Sequence, residues 1–367
     1  MQSPGEHHQT SIRCASALHG SADAGVIETM PELTYREALR QALREEMLRD
    51  PSVYVIGEEV GRFEGSYKVT QGLFKEFGPR RVKEAPIAEE GFMGIGVGSA
   101  MLGLRPVVEI MTLNFILVAI DMVINHAAKV RYMFGGQLKV PMVIRTPGGS
   151  GKQLTAQHSQ SFEGWFANTP GLKVVAPSNP ADAKGLLKSA IRDDDPVLFL
   201  ENLTIYNQRG EVPDGDYVVP IGLAAVPRVG TDLTIVSHSF ATVRALQVAE
   251  RFAEEGISVE VVDLRSLRPL DMETVVKSVR KTHRVLCVEE GWPTYGVSAE
   301  IAARVSKACF AELDAPVERV GGAEVSMPYA RPLENAAQVN NEKIYAAARS
   351  VLAESGMLKR GILTANR

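Results

Sequence analysis

The 367-residue chain is poor in several things on which particular kinds of chemistry depend. Cysteine is scarce: Cys14, Cys287 and Cys309 are the only three, none lies in a Cys-x-x-Cys pair, and an odd count cannot close a disulfide framework. Buried thiols in a reducing compartment are therefore expected. Neither sign of charge is in excess, since 40 basic and 44 acidic residues leave a net −4 spread without blocks. Such a surface carries no electrostatic footprint for nucleic acid or for an anionic membrane. Apolar runs stop short of the ~18–20 residues that span a bilayer. Neither nucleic acid nor membrane is expected as a partner.

Several site motifs are also missing. The glycine run Pro147–Lys152 fails as a phosphate loop, because position 146 is Thr rather than Gly and position 153 is Gln rather than Ser or Thr. Gly94-x-Gly96-x-Gly98 lacks the last spacing of a dinucleotide fingerprint. There is no zinc spacing and no Ser-His-Asp nucleophile elbow. Residues 1–29 are small and polar, with neither the apolar core of a secretory signal nor the arginines of a transit sequence. They read as a disordered extension or an over-long start, with Met30 as a plausible beginning. A bacterial-type cytoplasmic protein, rather than a plastid or mitochondrial one, is expected.

What is present is alternation. Thr34-x-x-Glu37 is a capping box opening a helix that ends at Asp50-Pro51, and strand Val53–Ile56 follows. Strands near 106–111, 142–144, 173–175 and 197–200 alternate with helices expected over 119–133 and 181–191. From about Tyr206 to Asp232 the chain is rich in Gly, Pro and Asp, which marks a junction. A second alternating unit then runs from Leu233, with strands 233–236, 259–264 and 285–288 and a helix near 297–310. The expectation is α/β: two three-layer domains with mainly parallel sheets, over 30–206 and 232–355, joined by a linker at 207–231 and ended by a tail at 356–367.

The densest signal runs from Pro86 to Leu104, where Glu89 and Glu90 precede fourteen residues without charge. Two readings are open: an acid at the lip of a buried segment, available for chemistry, or a helix start whose acids face the positive end of its dipole. The small residues from Gly94 to Ala100 favour close approach by a helix or a cofactor. His158 follows a strand and a glycine loop, where active-site groups sit on α/β scaffolds. His126 is expected to be packed or at an interface. His238, at a strand's carboxyl end, is open between structure and partner contact. Asp193, Asp194 and Asp195 read as a solvated turn or as oxygens for a hard cation.

From about Met30 to Leu352 the sequence closely resembles the beta subunits of the decarboxylating component of pyruvate dehydrogenase. The resemblance rests on Gly57-Glu58-Glu59-Val60, Pro86-Ile87-Ala88-Glu89, Met111-Thr112-Leu113-Asn114-Phe115, Ala156-Gln157-His158-Ser159-Gln160, Val236-Ser237-His238-Ser239, Leu267-Arg268-Pro269-Leu270-Asp271 and Gly291-Trp292-Pro293. It implies a pyrimidine-binding thiamine diphosphate domain followed by a transketolase-type C-terminal domain. Enzymes that use this cofactor hold magnesium and the diphosphate through Gly-Asp-Gly and a downstream Asn; the nearest stretch here is Gly215-Asp216-Tyr217. The resemblance implies that an alpha subunit supplies that half, in an alpha2beta2 assembly that passes the acyl group from pyruvate to a lipoylated dihydrolipoyl acyltransferase. Branched-chain 2-oxo acid and acetoin dehydrogenases are neighbouring possibilities, and a non-catalytic scaffold is one of another class.

By position, Glu89 resembles the acid that hydrogen-bonds the aminopyrimidine ring and promotes deprotonation of the thiazolium carbon. Phe115 resembles the aromatic packed on that ring, and Glu58 an acid in the tunnel between two cofactors; Ile87 is grouped with them as cofactor-binding. His158 resembles the histidine that assists acyl transfer to the lipoyl arm. Met142, Ala190, Ile191, Asp193 and Asp195 fall where family members bind potassium, largely through main-chain oxygens.

Overall fold

The computed structural model describes residues 30–358; the expected extension 1–29, with Cys14, and residues 359–367 of the expected tail lie outside it. The capping box forms as the sequence reads. Thr34 N–H donates to the Glu37 carboxylate at 2.8 Å while Glu37 N–H donates back to the Thr34 hydroxyl at 3.2 Å, opening helix α1 (Tyr35–Arg49) just after strand β1 (Glu32–Thr34). Tyr35, Ala38, Leu39, Ala42, Leu43 and Met47 recur at helical spacing and turn inward together.

The first sheet takes β2 (Val53–Gly57), β3 (Val82–Glu84), β4 (Arg105–Glu109), β5 (Val143–Gly148), β6 (Lys173–Val175) and β7 (Val197–Asn202), all parallel. Successive side chains of a strand point to opposite faces, and both faces here are covered. Val53, Val55, Val107, Val143, Val197 and Phe199 pack with α1 and with α6 (Pro180–Arg192). Tyr54, Ile56, Val108, Ile110, Ile144 and Leu198 pack on the other face with α3 (Glu89–Met101). Two short helices, α2 (Leu73–Phe77) and α5 (Glu163–Ala167), fill connections.

Within the expected linker 207–231 lie two short strands. β8 (Arg209–Glu211) pairs with β1, and β9 (Ala225–Arg228) joins the second sheet. That sheet has the order β14 (Glu318–Val320), β13 (Val285–Val288), β10 (Leu233–Ser237), β11 (Val259–Asp263), β9, parallel except for β9. Helices α7 (Ser239–Glu254) and α11 (Asn341–Glu354) cover one face; α8 (Met272–Thr282) and α9 (Val297–Ala308) contribute to the core on the other. Strand β12 (Ser266–Arg268) leaves this unit and pairs antiparallel with β6, so the first sheet reads β12-β6-β7-β5-β4-β2-β3. Ion pair Arg265–Asp182 at 2.9 Å and the Ser178–Asp263 hydrogen bond at 2.5 Å reinforce the seam.

The continuous helix expected over 119–133 does not form. Its place is taken by a 3₁₀ turn at Leu113–Leu117, a π-helical turn at Met122–Ala127 and the single turn α4 (Val130–Met133). Asn125 turns its amide to Asp121 at 2.6 Å, and Ala128 N–H reaches back five residues to Val123 at 3.1 Å. That widened turn still puts Val123, Ala127 and Val130 into the core, which explains why the apolar period looked unbroken. Gly171, at φ +91°, lies so close to the Ala128 carbonyl that a Cβ would stand 1.9 Å from its oxygen.

Candidate functional site

In a parallel sheet the ligand crevice opens at the carboxyl ends of strands where the strand order reverses. Here the chain moves from β2 outward to β3 and then back to β4 on the other side of β2, so the crevice lies between the ends of β2 and β4. Glu58 follows β2, and Thr112, Asn114 and Phe115 follow β4. Glu89 opens α3 after β3, and His158 ends a 3₁₀ turn after β5. The same edge of one sheet thus carries every residue proposed for chemistry.

A helix start and a buried acid coincide at Glu89. The helix does begin at Glu89, with no side-chain cap at Ala88, so both acids meet its positive end. Yet Glu89 is 7 % exposed whereas Glu90 is exposed, so burial separates the two acids. Glu58 is 6 % exposed and its Oε1 has no hydrogen-bond partner among the described residues. Burial first, then the charges of Glu89 and Glu59, push its carboxyl up to about 6. Buried polar atoms without partners are rare, and Thr112 Oγ1, Asn114 Oδ1 and Thr146 Oγ1 after or within β4 and β5 share that condition. An edge this rich in unsatisfied oxygen suits a ligand that brings hydrogen-bond donors of its own.

Phe115 and His158 meet edge to face at 5.1 Å between ring centroids, and Asn114 donates its amide to Gln160 beside them. Ile87, by contrast, is 84 % exposed on the turn before α3. It stands with Ile95 and Leu102 among the exposed apolar residues of the α3 region, where Gly91 and Gly98 leave the surface shallow. Gly96 explains the inward half of the glycine run, since a Cβ there would lie 2.6 Å from Val108 Cγ2.

The five residues of the expected cation site come together, and fixed cations stand among them. Arg105 donates to the carbonyls of Ile191 at 3.0 Å and Asp193 at 2.7 Å. Lys173 lies 2.7 Å from both Asp193 oxygens and 3.3 Å from Asp195, which also pairs with Arg131. The Met142 and Ala190 carbonyls accept from Val197 and Asp193. Among the described residues no cluster of three or more His, Cys, Asp or Glu side chains is arranged to hold a metal.

Elsewhere the histidines separate. His126 is exposed and 3.2 Å from Asp121, so it is not packed. His238 is buried, and desolvation pushes its ring down to about 4, keeping it neutral inside the fold and out of a partner's reach. Cys287 and Cys309 are buried, as expected for inert thiols. A large concavity, about 1650 Å³, lies away from Glu89 and His158, against Tyr132, Trp165, Arg268 and Tyr295. Of the residues proposed from sequence, only Asp195 borders it.

Sequence reasoning missed a buried ladder beneath the crevice. Arg145 on β5, 1 % exposed, donates to Glu201 on β7 through Nε and Nη2, both at 2.6 Å, and to Glu109 on β4. Tyr206 donates to the same Glu201 carboxylate at 2.6 Å. The signal was available, since Arg145 interrupts an apolar strand that a covered parallel sheet should bury.

Comparison with known proteins agrees with this architecture. The family "Transketolase, pyrimidine binding domain" matches residues 31–208, and "Transketolase, C-terminal domain" matches residues 222–344. A split-gene transketolase solved as an inactive beta4 tetramer superposes with TM-score 0.72 at 25% identity, over 88% of this chain and 99% of its own. Pyruvate dehydrogenase E1 component subunit beta-1, mitochondrial, of Arabidopsis thaliana is 53% identical over 322 residues, 87% of this chain and 89% of the relative. The E1 component subunit beta of Rickettsia conorii is 48% identical over 87% of this chain and 98% of its own length. The corresponding Rhizobium meliloti subunit is 51% identical over 88% of this chain and 70% of its own. With half of its residues shared over nearly the whole described length, the chain belongs to the pyruvate dehydrogenase E1 component beta subunit family.

Proposed function

We propose that this chain is the beta half of a thiamine diphosphate-dependent pyruvate dehydrogenase, active only in an alpha2beta2 assembly and working in the cytoplasm. One observation carries the reading. The carboxyl edge of the first sheet presents a buried acid, an aromatic ring and unpartnered oxygens suited to the pyrimidine half of the cofactor, while the sequence lacks the Gly-Asp-Gly and Asn that hold magnesium and the diphosphate. The alpha subunit brings that second half.

In this reading Glu89 holds and moves a proton at the pyrimidine ring nitrogen, and its burial keeps competing water away. Phe115 orients the ring by contact, and Ile87 reaches it from the rim. Glu58, disposed by its surroundings to keep a proton, offers a relay beside Glu89. When bound, thiamine diphosphate supplies the electron sink for loss of carbon dioxide from a 2-oxo acid. His158, held against Phe115, would donate a proton to the sulfur that leaves when the lipoyl disulfide of the dihydrolipoyl acyltransferase, the two-electron oxidant of the step, opens and its other sulfur takes the acyl group. Exposed Ile95 on α3 and Leu102 just after it, and the groove against Tyr132, Trp165 and Tyr295, are surfaces for the other subunits. A potassium ion at Asp193 would compete with Lys173 and Arg105.

Reconstitution with an alpha subunit tests the reading. Pyruvate is expected to turn over faster than 3-methyl-2-oxobutanoate, and the reverse preference would move the chain to branched-chain substrates. Tight, magnesium-dependent cofactor binding by the isolated chain, measured by calorimetry, would contradict the shared site.

A further inference from the structure

The segment that delivers His158 adopts a conformation its own sequence does not favour. Between β5 and the 3₁₀ turn, Gly149, Gly151, Gln153 and Thr155 have φ of +86°, +98°, +54° and +62°. Two of these are not glycine, and residues held so persist only when their surroundings enforce it.

The enforcement comes from the other domain. Glu334, on α10 (Arg331–Ala337), is fully buried, and its Oε1 accepts from the backbone N–H of Gly151 at 3.0 Å and of Gln153 at 2.9 Å. One carboxylate oxygen therefore spans the turn at Lys152. Arg331 donates to the Gln153 side-chain oxygen, and the Gln153 amide donates to the Tyr329 carbonyl at 3.3 Å. Glu334 Oε2 and the nearby Gln338 Nε2 are buried without partners. The Gln338 amide nitrogen also lies 3.1 Å from where a side chain on Gly151 would begin, closing the turn from above. No counter-charge pairs with the Glu334 carboxylate among the described residues; its ordered contacts are the two loop amides. A buried acid whose only bonds go to a strained loop acts on that loop.

We propose that Glu334 is a positioning residue for acyl transfer: by clamping the amides of Gly151 and Gln153 it fixes the loop that places His158 against Phe115. The C-terminal domain thereby sets the geometry of a group borne by the pyrimidine-binding domain. The inference rests on the reading of His158 given above.

The test uses the reconstituted alpha2beta2 enzyme carrying Glu334→Ala, Glu334→Gln or His158→Ala, with three readouts. These are pyruvate turnover with an artificial electron acceptor, acetylation of a lipoyl domain, and trypsin nicking after the exposed Lys152, followed by mass spectrometry. Glu334→Ala is expected to speed nicking about tenfold or more, because cleavage follows the open population of the loop. It should lower lipoyl acetylation roughly 10–100-fold, as misplacement of a reacting group does, with a much smaller loss of acceptor turnover. Glu334→Gln keeps an uncharged acceptor in place and should fall between wild type and Ala on both loop readouts; it decides the matter if the Ala variant fails to assemble. Wild-type nicking and acetylation in both variants, or equal losses in the two activity assays, would overturn the proposal. His158→Ala separates the two claims: if it leaves acetylation intact while Glu334→Ala opens Lys152, the role of His158 falls and the clamp stands.

Discussion

Two sets of buried carboxylates lie at the same edge of the same sheet, and they are treated in opposite ways. Glu109 and Glu201 flank the Arg145 guanidinium, and Tyr206 caps the group. Among the described residues Glu58 and Glu89 have no basic hydrogen-bond partner, and Glu58 leaves an oxygen unsatisfied. A paired acid inside a protein is scaffold, because its desolvation is offset where it sits. An unpaired one keeps that cost until something else binds. The contrast teaches that burial alone does not separate the two sets; the presence or absence of a compensating cation does.

The contrast can be broken at its sharpest point by Glu89→Gln in the reconstituted enzyme. Loss of a placed proton-transfer group should reduce carbon dioxide release roughly 10²–10⁴-fold, with the melting temperature little changed. Arg145→Met attacks the paired set instead and leaves two uncompensated acids. Chemical denaturation should then show a loss of about 3–5 kcal/mol, recovered when Glu109 and Glu201 are also made apolar.

Glu58→Gln should move stability the other way. The folded state holds the Glu58 proton up to about 6, above the usual carboxylate range, so the folded chain binds more protons than the unfolded one and stability falls as pH rises from about 4 to about 6. Gln has no charge to desolvate. Its advantage over wild type should be near zero at pH 4 and grow to about 1–2 kcal/mol by pH 7, read from denaturation midpoints at each pH. A flat difference would place Glu58 in a wetter site than described. The smallest expected effect sharpens the same comparison: exposed Glu90→Gln should leave turnover within about twofold, as surface substitutions do.

Much of the scaffold was legible before any coordinates, because covered parallel strands and capped helices write themselves locally. Thr34-x-x-Glu37 and the Val-rich strands needed no distant partner. The crevice acids were legible as a stretch, Pro86 to Leu104, though not as a pair: nothing in sequence says that Glu58 and Glu89 feel each other's charge. The 119–133 helix failed for the opposite reason, since a π turn preserves the apolar face while changing the backbone. Glu334 left no signal at all. Its partners lie 183 and 181 residues away, and a lone acid in a seven-residue helix looks like solvent-facing charge.

The antiparallel pairing of β12 with β6 has a consequence for any attempt to divide the chain. A fragment stopping after the first family match would leave β6 with a bare row of amides and carbonyls, an invitation to self-associate. Heating the intact chain should therefore give one cooperative transition, and halves expressed separately should recover solubility only when mixed, the second half supplying the missing border of the first.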